Sequence, residues 1–201
     1  KMIANGEEKI DVSSLESVSV SVSESSVLSE DSVVIVSSPS HPNTADWYNE
    51  TSVEVEWTEL ESENAVASYR IAFDQSSSTD PAQFVSPSSQ AQTYSDVEDG
   101  VHYFHIKGIR SDGSQTQTVH RRFNIDATEP NPVELAAEST QILEGESVWL
   151  TFATTDETSG VEQYQISIND APFQVQTSPL EVTDLPAGTY FFRVAALDRA
   201  S

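Results

Sequence analysis

The chain has 201 residues, 37% of them hydrophobic, enough to fill two modest cores better than one large one. Its 33 Asp and Glu against 9 Lys and Arg give a formal charge of -24, which argues against nucleic acid and anionic membrane surfaces as partners and for a cation. With no cysteine in the chain, disulfides, thiol catalysis and thiolate zinc sites are excluded.

The first residues, KMIANGEEKI, carry neither the apolar stretch nor the small-residue cleavage site of a signal peptide, and no long apolar run follows. No membrane insertion is expected in this segment. A start at Lys and a stop in mid-pattern at LDRAS predict an excerpt of a longer protein. Residues 1–36 contain strand-like material: Val18, Val20 and Val22 alternate with serine, and VVIV occupies 33–36. This part reads as the strand-rich tail of a preceding module or as a donor strand.

From about residue 37 to 126 the period is two, the signature of strands with one buried face. Val53, Val55 and Trp57 share a face, as do Tyr69, Ile71 and Phe73, then His102, Phe104, Ile106 and Gly108, and finally Val119, Arg121, Phe123 and Ile125. The run DQSSSTDPAQFVSPSSQAQT between the second and third sets predicts a long surface loop with a short edge strand. Next comes NIDATEPNPVE, whose two prolines stiffen the connection and deny it ladder hydrogen bonds.

The pattern then starts again over 127–201. Val148, Leu150 and Phe152 repeat the first set, Tyr164, Ile166 and Ile168 the second, and Tyr190, Phe192, Val194 and Ala196 the third. DGVHYFHIKGI at 99–109 returns as AGTYFFRVAAL at 187–197. Trp57 matches Phe152 and Tyr69 matches Tyr164 at an offset of 95, whereas Asp96 matches Asp184 and Gly100 matches Gly188 at 88. The seven-residue difference falls in the Ser-, Pro- and Gln-rich loop. Strands held in register while a loop changes length predict an all-β chain of two antiparallel Ig-like or fibronectin-type β-sandwiches in series. Ser201 matches Gly113, so the second sandwich lacks its last strand. Two explanations follow: a fragment whose closing strand lies further on, which is favoured, or a head-to-tail fibre in which SVSVSVS of one copy completes the next.

LPAGTYFFRVAALD resembles the strand F region of fibronectin type III and related bacterial Ig-like modules, in which a Leu, a turn Gly and a Tyr precede alternating core residues. With SSPSHPN, Trp57, DGVHYFHIKGI and the closing NID, roughly residues 37–201 look like fibronectin-type modules strung along large prokaryotic surface proteins. In such modules the aromatic hydroxyl bonds the turn backbone and locks a corner. Tyr190 can do this; His102 departs from the pattern and can do it only through a ring nitrogen.

Chemistry-bearing motifs are sparse. His102 and His105 lie three apart on one strand and face opposite ways, which prevents a shared metal; they read as a core substitute and a surface residue. No nucleophile elbow or phosphate loop occurs, and a paired-acid mechanism needs a cleft that small sandwiches seldom offer. Asn49-Glu50-Thr51 is a glycosylation sequon by chance composition. The acids do converge on paper: loops at one end of each sandwich bring Asp99, Asp126, Glu129, Asp156 and Asp198 to the joint, where Ca2+ could relieve their repulsion. A solvated acidic surface and a saline habitat are the competing explanations. Trp47, Tyr48 and Trp149 are candidates for stacking on carbohydrate, although Trp47 and Tyr48 also suit the bottom of the first core, and Trp149 suits packing against a neighbour.

These readings favour a non-enzymatic extracellular spacer or adhesion segment of a multidomain bacterial or archaeal surface protein. Its expected partners are neighbouring modules of the same or identical chains and a cell-surface glycan or protein. The alternatives are accessory modules of a secreted polysaccharide-degrading enzyme and a strand-complemented fibre subunit.

Overall fold

Alternating apolar residues become strands throughout. The structure, a computed structural model, describes residues 34–60 and 66–201. The Val18, Val20 and Val22 alternation, with the rest of the expected tail up to residue 33, lies outside the described residues. In chain order the strands are β1 (Val34–Ser37), β2 (Trp47–Tyr48), β3 (Val53–Glu59), β4 (Val66–Asp74), β5 (Gln83–Val85), β6 (Ala91–Tyr94), β7 (Gly100–Arg110), β8 (Val119–Ile125), β9 (Glu134–Ala137), β10 (Val148–Ala153), β11 (Val161–Ile168), β12 (Gln174–Gln176), β13 (Leu180–Val182) and β14 (Phe192–Asp198). No helix occurs among the described residues, and none is therefore long and apolar enough to cross a membrane.

The first sandwich packs a three-stranded sheet, β1-β3-β6, on a five-stranded one, β2-β8-β7-β4-β5. All pairings are antiparallel except β2 with β8, which is parallel. Its core is built from the inward sets read in the sequence: Val53, Val55, Trp57, Tyr69, Ile71, Phe104, Ile106, Phe123 and Ile125 are all buried. Val34 is buried with them, so the first sheet begins three residues ahead of the boundary expected at 37.

The second sandwich repeats the plan with sheets β9-β10-β13 and β12-β11-β14. Strand for strand these correspond to β1-β3-β6 and β5-β4-β7. The register repeats as well. Tyr69 stands opposite Gly108 and Tyr164 opposite Ala196; Val53 stands opposite Tyr94 and Val148 opposite Val182. Among the described residues nothing corresponds to β2 or β8, so β14 pairs on one side only, with β11. Fewer strands mean a smaller core: Val148, Leu150, Phe152, Ile166 and Val182 are the buried hydrophobics around which it forms.

The corner before β7 and the corner before β14 share a geometry despite the change of residue. His102 Nε2 bonds the Glu98 carbonyl at 2.8 Å, and Tyr190 Oη donates to the Pro186 carbonyl at 3.0 Å. Each spans four residues. Asp96 and Asp184, matched at 88, both adopt the left-handed backbone region, with φ of 53 and 56, a conformation that Asp tolerates better than most side chains.

Gly108 marks where the copies differ. A Cβ there would stand 2.6 Å from Val66 Cγ2 and 3.1 Å from Thr116 Cγ2, because the β7–β8 turn folds back so that Gly108 N–H donates to Thr116 Oγ1 at 2.8 Å. The matching position of β14 holds Ala196, opposite Tyr164. One expectation is corrected on the outer face of the large sheet. His105 is fully buried, because the long loop after β4 folds over it, placing Asp80 Oδ1 2.5 Å from Lys107 Nζ and burying Pro81.

Candidate cation site at the joint

Asp126 follows the last residue of β8 and belongs to both sandwiches. Its N–H donates to the Tyr48 carbonyl at 2.9 Å, the final rung of the β2–β8 pairing. Its carboxylate accepts from the Ser159 N–H of the second sandwich at 2.9 Å. Asp156 lies in the turn TTDETSG between β10 and β11, where one carboxylate oxygen gathers the amides of Thr158, Ser159 and Gly160 at 3.1, 2.9 and 2.8 Å. Asp198 closes β14 and accepts from Ala200 N–H at 2.8 Å and Ser201 Oγ at 2.6 Å.

These three carboxylates present ligand oxygens that all lie within 4.8 Å of one another. Asp126 and Asp198 are buried, at 1% and 4% exposure, and Asp156 is half-buried. Among the described residues no Lys, Arg or His forms an ion pair with any of them. At an effective dielectric of ~20, unit charges at that spacing repel by about 3 kcal/mol per pair. A hard cation taking oxygen ligands at about 2.3–2.6 Å matches both the charge and the spacing.

The other two expected acids stand elsewhere. Asp99 is occupied as a clamp on the linker: it accepts from Ala127 N–H at 2.8 Å and Thr128 Oγ1 at 2.5 Å. Glu129 is exposed. On the far side the linker is tied to the second sandwich, with Asn131 N–H donating to the Thr155 carbonyl at 3.0 Å and Thr154 Oγ1 to the Asn131 carbonyl at 2.6 Å.

The aromatic candidates are not brought together. Trp47 and Tyr48 form β2 at the edge of the first sandwich, where Tyr48 packs on His41 with ring centroids 4.7 Å apart and its hydroxyl meets Asn43. Trp149 lies on β10 of the second sandwich and points outward, 40% exposed.

His41 is buried between Ser40 Oγ, 2.7 Å from Nδ1, and the Glu50 carbonyl, 3.0 Å from Nε2. Burial holds its pKa below the ordinary 6.5. Above that value folded and unfolded chains are both neutral here; as pH falls below it, the unfolded chain takes up a proton that the folded one resists. Stability therefore falls from about pH 6.5 towards the depressed folded value. His120 is shifted the same way, by burial and by His105, and adds to the slope. Urea midpoints measured at pH 7.5 and 5.5 should differ, and His41→Gln should flatten the difference; an unchanged slope would contradict this account.

Strand order, repeated register and repeated corner define both halves as fibronectin type III-like sandwiches. No family model matches the sequence, and no curated protein matches it. Solved structures similar to it include the fibronectin(III)-like modules of Clostridium thermocellum CbhA, at 13% identity over 83% of this chain and 87% of that one, with a TM-score of 0.45. Another is the central fibronectin-III array of RIM-binding protein, at 16% identity over 73% of this chain and 58% of that one, with a TM-score of 0.30.

Proposed function

We propose that this chain is a non-catalytic spacer segment of a multidomain prokaryotic surface or secreted protein, and that Ca2+ bound by Asp126, Asp156 and Asp198 stiffens the joint between its two sandwiches. The observation that carries the reading is the convergence of three carboxylates, two of them buried, from the linker, a loop and the last strand of the second sandwich. Tandem sandwiches joined by a short linker that is hydrogen-bonded on both sides transmit position rather than catalyse. Calcium adds a ligand-dependent brace to that connection.

The test is calcium titration of the full chain, followed by thermal unfolding. A ligand at ~100 times its Kd stabilises by about 2.7 kcal/mol, which for a small domain raises Tm by roughly 10 °C or more. EDTA should reverse the rise, and Asp198→Asn should abolish most of it. No rise at millimolar calcium, or an equal rise in Asp198→Asn, would overturn the proposal.

A further inference from the structure

A second constellation lies on the outer face of the five-stranded sheet, independent of the joint. His105 on β7 and His120 on β8 are cross-strand partners, with their Nδ1 atoms 2.5 Å apart. The opposite nitrogen of His105, Nε2, is 3.3 Å from Asp74 Oδ1 on β4. His105 is fully buried under the loop after β4, whereas His120 is open to solvent. Tyr103 lies alongside His105 with ring centroids 6.2 Å apart.

Proton logic sets the roles. A carboxylate only accepts, so His105 donates from Nε2 to Asp74, and when the His105 ring is neutral its Nδ1 is a lone pair aimed at His120. His120 then supplies the proton between the two Nδ1 atoms. That proton sits where two imidazoles converge, and a metal ion can take its place. A carboxylate holding the far nitrogen of a histidine is the usual outer support of a ligating imidazole: it fixes the tautomer and makes the ring a better donor.

We propose that His105 and His120 form a binding site for a borderline divalent transition metal of the zinc or copper class, with Asp74 as the positioning residue. Two imidazole nitrogens suit such ions and not calcium, which prefers oxygen ligands. Tetrahedral coordination at about 2.0–2.1 Å places the nitrogens ~3.3 Å apart, wider than the 2.5 Å of the unliganded pair, so binding requires the exposed His120 ring to swing outward. The remaining coordination positions face solvent on the His120 side and are filled by water or by a side chain from a partner.

The full chain is titrated with Zn2+ in excess Ca2+, so that the acidic surface is already supplied, and followed by calorimetry and by the His Cε1–H resonances. One strong equivalent is expected, perturbing His105 and His120 together. His120→Ala, a surface change, should weaken binding at least tenfold, and Asp74→Asn by 10-fold to 100-fold. Binding unaltered by His120→Ala would place zinc on the acidic groups and overturn the proposal. So would the absence of any saturable zinc binding below millimolar concentration.

Discussion

Leu150→Ala will unfold the second sandwich while the first stays folded. Leu150 is 1% exposed and lies at the centre of β10, flanked inward by Val148 and Phe152. Removing such a side chain costs about 2–5 kcal/mol, the larger values where the surroundings cannot collapse into the gap. A domain of this size holds only ~0.05–0.15 kcal/mol per residue in total. This one has the smaller core, and among the described residues its strand β14 is an edge strand that pairs on one side only. Unfolding by urea should therefore resolve into two transitions, with the variant losing the weaker one. Amide exchange at β10, β11 and β14 would accelerate to the unfolded rate, whereas β3, β4 and β7 would remain protected. A single unchanged transition would show that the two cores unfold together.

Trp57→Ala carries the largest expected cost in the first sandwich, about 3–5 kcal/mol. Trp57 is buried, stacked on Phe104 with centroids 5.7 Å apart and meeting Tyr69 edge-on at 6.0 Å. Its indole Nε1 has no hydrogen-bond acceptor among the described residues. Trp57→Phe thus removes an unpaired buried donor together with part of the ring volume, and these effects oppose each other. The Phe variant should lose much less than the Ala variant, a difference read directly from their denaturant midpoints. Phe152 already fills the matching position of the second sandwich, packed against Tyr164 at 5.3 Å. Equal losses for the two variants would refute the view that volume, rather than the indole nitrogen, holds this core.

Much of this architecture is written in the period and spacing of the residues. The offsets of 95 and 88 reappear as matched cross-strand pairs, Tyr69 with Gly108 and Tyr164 with Ala196, because a period-two pattern with one buried face leaves a strand only one workable register. The corner contacts of His102 and Tyr190 were legible from the resemblance of these stretches to fibronectin-type modules. Of the five joint acids, Asp126, Asp156 and Asp198 meet and Asp99 and Glu129 do not. Chain order brings loops to one end of a sandwich, but which carboxylates turn inward depends on local amides: Asp99 was claimed by Ala127 and Thr128. The His105–His120 pair escapes a reading along one strand, because it forms across the hairpin. The signal was present: the Asp112-Gly113 turn lies midway between them, seven residues from each, and hairpin register follows from where the turn sits. The cover that buries His105 was not legible, since a Ser- and Pro-rich run says nothing of the face over which it folds.

Asp126 is held by its amide to Tyr48 and by its carboxylate to Ser159, and the residues that follow it are clamped by Asp99 on one side and Thr154 and Thr155 on the other. This connector has little slack to serve as a swivel. Torque applied to one sandwich would pass to the next through Asp126 and the clamps on either side of it, so in any longer array of such units the bending modulus would be set joint by joint, by the contacts made there, and not by the length of the tether.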